Sequence, residues 1–239
     1  MREIQIMKVV FDAEIAPYET PAFRGAIIGK VGLDKDIYHN HDNNADSAKQ
    51  YHYRYPLIQY RQDRKRPAMV FIGHGIPEAQ HLFAQPDWSL TFSGRTQTMN
   101  IADMQLRRAP FGVTPDFRYY TLHRWQALNE ANIKRYAAAE SLAERCRILE
   151  KILTGHIISF AKGIDYRIPE RFDAHITDIL QSRTVLYEGI KALTFDVRIR
   201  TNLVFPPFVG IGKGVSLGFG EVRAWKREED NQHHNPLSI

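Results

Sequence analysis

The sequence has one cysteine, Cys146, in 239 residues, which excludes an internal disulfide framework and a cysteine-cluster metal centre and suits a reducing compartment. It has no apolar run near the roughly 20 residues that a membrane helix needs, and no basic head followed by an apolar segment at its N-terminus. A soluble, cytoplasmic chain without a membrane partner is expected. No repeat of solenoid length occurs. Nucleotide signatures are missing too. A Walker loop would need glycine where Pro207 stands and Ser or Thr where Gly214 follows Lys213. The dinucleotide pattern fails in register, since after Gly210 and Gly212 position 215, the place of its third glycine, holds Val215, with Ser216 beyond it.

What is present is ordinary globular material: 44% hydrophobic, 25% charged and 11% aromatic residues. Lys and Arg outnumber Asp and Glu by 32 to 27, which favours an anionic partner. Residues 1–120 carry 15 of the basic and 13 of the acidic groups. Neither half is therefore a basic arm, and any basic surface must be assembled by folding.

Residues 3–15 alternate as an opening strand, and "TPAFRGAIIGKVG" spaces Phe23, Ile27 and Val31 as a helix. "YRYPLIQYR" and "PAMVFIG" flank the charged turn "QDRKR" as a hairpin, with Arg64, Lys65 and Arg66 at its solvated tip. A short helix in "IPEAQHLFAQ" and strands through "WSLTFSGRTQTMNIADMQL" complete a βαββαβ order, the ferredoxin-like pattern. The middle turns helical. A shorter helix precedes a longer one that starts near Ser141, whose capping-box partner is Glu144; Leu142, Cys146, Leu149, Leu153, Ile157 and Phe160 form its buried stripe, and Gly155 is a place for a bend. Trp125 and His156 read as packing residues. "GIKALTFDVRIRTNLVFPP" alternates, with Phe195, Val197 and Ile199 on one face and Asp196, Arg198 and Arg200 on the other. The tail with His233 and His234 reads as frayed.

"GIGKGVSLGFGEV" then places five of the 15 glycines, Gly210, Gly212, Gly214, Gly218 and Gly220, within eleven residues around Lys213. Glycines permit positive φ and close approach of backbone N–H groups to phosphate oxygens. The segment is either a loop that touches a nucleic-acid backbone or a hairpin that only turns the chain.

Chemistry-bearing side chains gather in "YHNHD", where His39 and His41 project to one side if the segment is extended. Spacing alone favours an exposed polar loop. The pair with Asp42 suggests a metal, but nothing in the sequence supplies the remaining ligands. Tyr51, Tyr53 and Tyr55 fit a strand face packed on the core as well as a site.

The glycine pattern G-h-G-x-x-x-x-x-G-F-G, with h apolar, matched at Gly210, Ile211, Gly212, Gly218, Phe219 and Gly220, resembles the signature of the CRISPR-associated repeat-processing endoribonucleases, the sixth Cas family. "FRGAIIGKVG", "YHNHD" before "YRYPLIQYR", and "LEKILTGHIISFAKGI" are similar to its b subtype, in the expected order. The resemblance implies an α+β fold of two ferredoxin-like (RRM-like) domains in tandem, placed here at 1–124 and 125–239. It implies binding of CRISPR repeat RNA and its cleavage by attack of a ribose 2′-OH, without metal or other cofactor. Imidazoles suit both proton transfers, and the family places catalytic histidine in this region, so His39 and His41 are taken as base and acid, unassigned. Lys49 and Tyr53 are taken as their assistants. RNA contacts are expected from Arg54, Arg198, Arg200, Lys213 and the backbone of Gly210, Gly212, Gly214, Gly218 and Gly220. A homodimer and association with other Cas proteins of an effector complex rest on the resemblance alone. A noncatalytic RNA-holding scaffold of the same fold is the alternative. The RNP pattern of general single-strand binders is not found.

Overall fold

The computed structural model describes residues 1–39, 55–187 and 189–225. The N-terminal part lays down β1 (Arg2–Phe11), α1 (Thr20–Val31), the single turn α2 (Asp36–His39), β2 (Ile58–Asp63), β3 (Arg66–Ile72), the short α3 (Gln80–Phe83), a small hairpin of β4 (Ser89–Phe92) and β5 (Arg95–Thr98), and β6 (Ile101–Trp125). The rest comprises α4 (Glu130–Ala138), α5 (Leu142–Gly163), β7 (Ala174–Tyr187), β8 (Ile190–Val204) and β9 (Glu221–Ala224).

The antiparallel sheet runs β2-β3-β1-β6-β8-β7, with β9 on β6. Its continuity comes from β6, which spans 25 residues. Ile101–Phe111 pairs with β1, and Gly112–Trp125 pairs with β8 across two register shifts. The same strand thus closes one ferredoxin-like unit and opens the next. Each unit has the strand order last-first-third-second: β6-β1-β3-β2, then β9-β6-β8-β7. The fold is two ferredoxin-like units in tandem. In the second unit the crossover between its last two strands is not a helix. It is the glycine-rich segment, which contains only one 3-10 turn at Val215–Leu217.

Alternation along β1 explains the two cores. Met7, Val9 and Phe11 face α1 with Phe23, Ile27, Tyr60 and Phe71, all buried. Ile4 and Ile6 face the other way, into a cluster with Phe111, Trp125, Phe160, Phe195, Val197 and Ile199. One sheet with two apolar faces therefore joins the units through burial, the dominant favourable term in folding. Ser141 caps α5 by accepting from the Glu144 N–H at 3.1 Å, and Glu144 returns Oε2 to the Glu140 N–H at 3.1 Å, a near-reciprocal cap. The helix continues through Gly155 to Gly163. Its buried stripe starts later than the spacing predicts: Leu149, Leu153, Ile157 and Phe160 are buried, whereas Leu142 is 68% exposed and Cys146 is half-buried. At the β2–β3 tip Arg64 and Lys65 both have positive φ, 48° and 69°, as a two-residue hairpin turn of the primed type requires.

Candidate functional site

His39 closes α2 and is 8% exposed. Its Nε2 lies 3.0 Å from the Leu33 carbonyl oxygen. A carbonyl only accepts, so this contact is a hydrogen bond when Nε2 carries a proton. Arg24 Nη2 donates to the His39 carbonyl at 2.6 Å, and Asp36 lies 3.7 Å from the ring. His41, Lys49, Tyr53 and Arg54 lie outside the described residues. Of the four catalytic candidates, the structure therefore positions His39 alone.

The glycine segment is a seam. Gly210 accepts from the Tyr55 hydroxyl at 2.6 Å, and its own N–H donates to Gln59 Oε1 at 3.2 Å. Gln59 Nε2 donates to the Tyr55 oxygen at 2.7 Å, and Arg61 Nη2 donates to Gln59 Oε1 at 2.8 Å. Tyr55, Gln59 and Arg61 are all buried, and burial pushes the Tyr55 phenol well above its usual range. A closed polar ring thus ties the first unit to the second, as buried polar groups must be tied. Gly212 has φ +107° and sits under the Trp125 ring, where a Cβ would stand 2.7 Å from Nε1. Gly214 precedes the 3-10 turn. Gly218 lies against β2, where a Cβ would be 3.1 Å from the Tyr60 carbonyl oxygen. Gly220 has φ +68°, and a Cβ there would strike the Ile211 carbonyl oxygen. Each close approach is to this chain's own atoms. Lys213 is exposed, while its N–H donates to the Gln126 carbonyl at 3.2 Å.

Between the units opens a cleft of 880 Å³ whose lining includes Lys8, Arg61, Arg64, His123, Arg124, Arg183, Gly218 and Arg223, with Asp63 and Glu221 as its acids. Asp196 is a hub at its edge. It accepts from the Arg124 N–H at 2.6 Å, from Arg183 Nη2 at 3.2 Å, and lies 3.1 Å from His123 Nδ1. Burial lowers the His123 pKa, and Asp196 opposes that shift without cancelling it. Arg61 Nη1 lies 3.4 Å from Glu221 Oε1. Burial acts to raise the Glu221 pKa, but Arg61 and Arg223 outweigh it and hold the carboxyl below its usual value. Six Lys and Arg side chains against two carboxylates leave the lining of this open cleft net positive, with Lys8, Arg61, Arg183 and Arg223 held in ion pairs.

Arg198 and Arg200 do share the solvent face of β8, opposite Phe195, Val197 and Ile199. The Arg198 guanidinium lies 4.2 Å from the Trp225 ring centre, and that of Arg200 lies 3.4 Å from the Phe117 ring centre. His123, Arg124, Arg183 and Asp196 were not singled out as site residues by the sequence reading. The alternation of Tyr119, Thr121 and His123 along β6 was the available signal, since it puts His123 on the face of Asp196 and Arg198. Their convergence needed the β6–β8 register. Among the described residues, no three His, Cys, Asp or Glu side chains converge as a metal site.

Comparison with known proteins follows this division. A model of the Cas6b N-terminal domain matches residues 2–110, and one of the Cas6b C-terminal domain matches residues 112–225. A crystal structure of Cas6b superposes with a TM-score of 0.84 at 25% identity over 94% of this chain and 100% of that one. A CRISPR RNA processing endoribonuclease Cas6b superposes with a TM-score of 0.70 at 21% identity, again over 94% and 100%, which speaks to the fold. An uncharacterized protein of Methanocaldococcus jannaschii is 35% identical over 113 residues, 47% of this chain and 76% of that one. With both halves matched in order and the two units joined as observed, the chain belongs to the Cas6b family.

Proposed function

We propose that the chain is an endoribonuclease that binds CRISPR repeat RNA and cuts precursor CRISPR RNA within each repeat, yielding guide RNAs. The observation that supports this most is the cationic cleft between two ferredoxin-like units in a member of this family. The step needs no metal: the ribose 2′-oxygen loses its proton to a base and attacks the adjacent phosphorus. The bond from phosphorus to the 5′-oxygen then breaks, and an acid protonates that oxygen. A 2′,3′-cyclic phosphate and a 5′-hydroxyl result, with no water consumed. His39 and His41 share the acid and base roles, assisted by Lys49 and Tyr53. Arg54, Arg198, Arg200 and Lys213 hold phosphates, and Gly210, Gly212, Gly214, Gly218 and Gly220 set the backbone that carries Lys213 to the surface.

Incubation of repeat RNA with the protein in EDTA tests the reading. Cleavage is expected, as are products that a kinase labels at the 5′ end without prior phosphatase treatment. A strict requirement for divalent metal, or full activity in the His39→Ala, His41→Ala double variant, refutes it. The burial of His39 against the Leu33 carbonyl favours a second reading, a scaffold that holds repeat or guide RNA without cutting. It predicts tight binding, no products, and indifference to a 2′-deoxy substitution at the expected cut.

A further inference from the structure

The solvent face of the second unit's sheet bears rings and guanidinium groups in alternation. On β6, Phe117 closes the irregular stretch between Val113 and Arg118, and Tyr119 stands two residues on. Arg200 lies opposite Tyr119 in register and stacks on Phe117. Trp225 follows β9, its N–H bonded to the Tyr119 carbonyl at 3.0 Å. Its ring meets Tyr119 edge-on with centres 5.8 Å apart and lies under Arg198. Phe117 is 38% exposed. Among the described residues, no carboxylate lies within ion-pair distance of Arg200; Arg198 has Asp178 at 3.9 Å.

A hydrophobic core does not need these rings, because the opposite face of the same strands already packs against α5. Arginines that stack on aromatic rings present a flat cation, and a flat cation beside a flat ring suits an unpaired nucleobase with its phosphate. A duplex offers phosphates but no open base face, since its bases are paired and stacked on each other. The face is continuous with the cleft, because His123 and Arg223 lie on the same side of β6 and β9 as Tyr119 and Arg198.

Resting on the proposed RNA-processing role, we propose that Phe117, Tyr119, Arg198, Arg200 and Trp225 form a platform that stacks unpaired bases of single-stranded RNA beyond the cleft. Stacking is tolerant of sequence, so a short run of uridines carrying one 2-aminopurine riboside is a sufficient probe. Binding should quench its fluorescence. Phe117→Ala and Trp225→Ala should each weaken binding about 5- to 100-fold and restore fluorescence, while leaving the salt dependence of affinity unchanged. Arg200→Ala should instead reduce the salt slope by about one phosphate contact. Trp225→Phe should recover much of the affinity. Two variants are used because Trp225 also contacts Tyr119 and Arg198, whereas Phe117 is exposed enough to be trimmed without unfolding.

The platform is overturned if the wild-type protein does not quench the probe, or if both alanine variants bind it as tightly as the wild type. It is also overturned if heparin, an anion without bases, loses affinity for Phe117→Ala and Trp225→Ala to the same degree. Failure here with intact repeat cleavage refutes the platform alone. Intact stacking with no repeat cleavage refutes the processing role alone.

Discussion

Replacing Gly212 with alanine tests whether the glycine-rich crossover is a seam. Two costs arise in the folded state. An L-residue at φ +107° is held in a sparsely allowed region, at about 1–3 kcal/mol. The new Cβ would also stand 2.7 Å from Trp125 Nε1 and 2.8 Å from its Cδ1. Trp125 cannot swing away: it is fully buried, and its Nε1 donates to His156 Nδ1 at 3.1 Å. Overpacking of this kind costs about 1–3 kcal/mol.

Together the two amount to about 2–6 kcal/mol, which for a chain of this size lowers Tm by about 4–24 °C. Gly155→Ala supplies the internal control. It lies inside α5 with nothing within 4 Å of its added Cβ, so helix propensity should dominate and stabilise by about 0.5–1 kcal/mol. Urea denaturation followed by fluorescence measures both. Equal midpoints for Gly212→Ala and wild type would refute the seam. A fully stable Gly212→Ala that had lost only RNA affinity would return the segment to a phosphate-approach loop.

The remaining predictions concern charge and capping. Burial lowers His156 to about 4, with Lys213 adding to the effect; a base depressed in the folded state is stabilising above its unfolded pKa near 6.5, so stability should fall as pH drops from about 6.5 towards 4, by at most about 3 kcal/mol. His156→Gln, read by urea midpoints, should flatten that slope. Asp196→Asn removes the one named group that most raises His123, so the His123 imidazole should titrate at lower pH by NMR; a rise would contradict the hub. Ser141→Ala deletes the cap of α5 and should cost about 1 kcal/mol in thermal unfolding.

Local periodicity made much of the fold legible. Phe23, Ile27 and Val31 marked α1, Ser141 marked the start of α5, and the alternation of Phe195, Val197 and Ile199 marked β8, because each pattern is created by one element burying one face. The 25-residue β6 was not legible as one strand, since its face changes partners midway: β1 over one half, then β8 and β9 over the other. The α5 stripe extends one turn less than the spacing predicts, as Leu142 shares the spacing of Leu149 but is exposed. The Asp196 hub was invisible for a different reason. His123, Arg183 and Asp196 are brought together by register between three strands, and register is a property of pairing rather than of any one segment.

The missing helix in the second unit has a mechanical consequence. A ferredoxin-like crossover made of helix would cover its sheet with a rigid cylinder about 10–12 Å across. The segment from Phe205 to Gly220 instead folds close to Trp125, β2 and Ile211, and five glycines make that approach affordable. What it sacrifices in thickness it gains in reach: Gly210 enters the Tyr55–Gln59 ring, Gly218 touches β2, and Gly220 leads directly into Glu221, whose carboxylate meets Arg61. The cleft lining therefore comes from both units, yet it is set by one compact connection. A substitution that loosens the seam should shift the cleft's arginines relative to each other, and so alter RNA binding without touching any residue that contacts RNA.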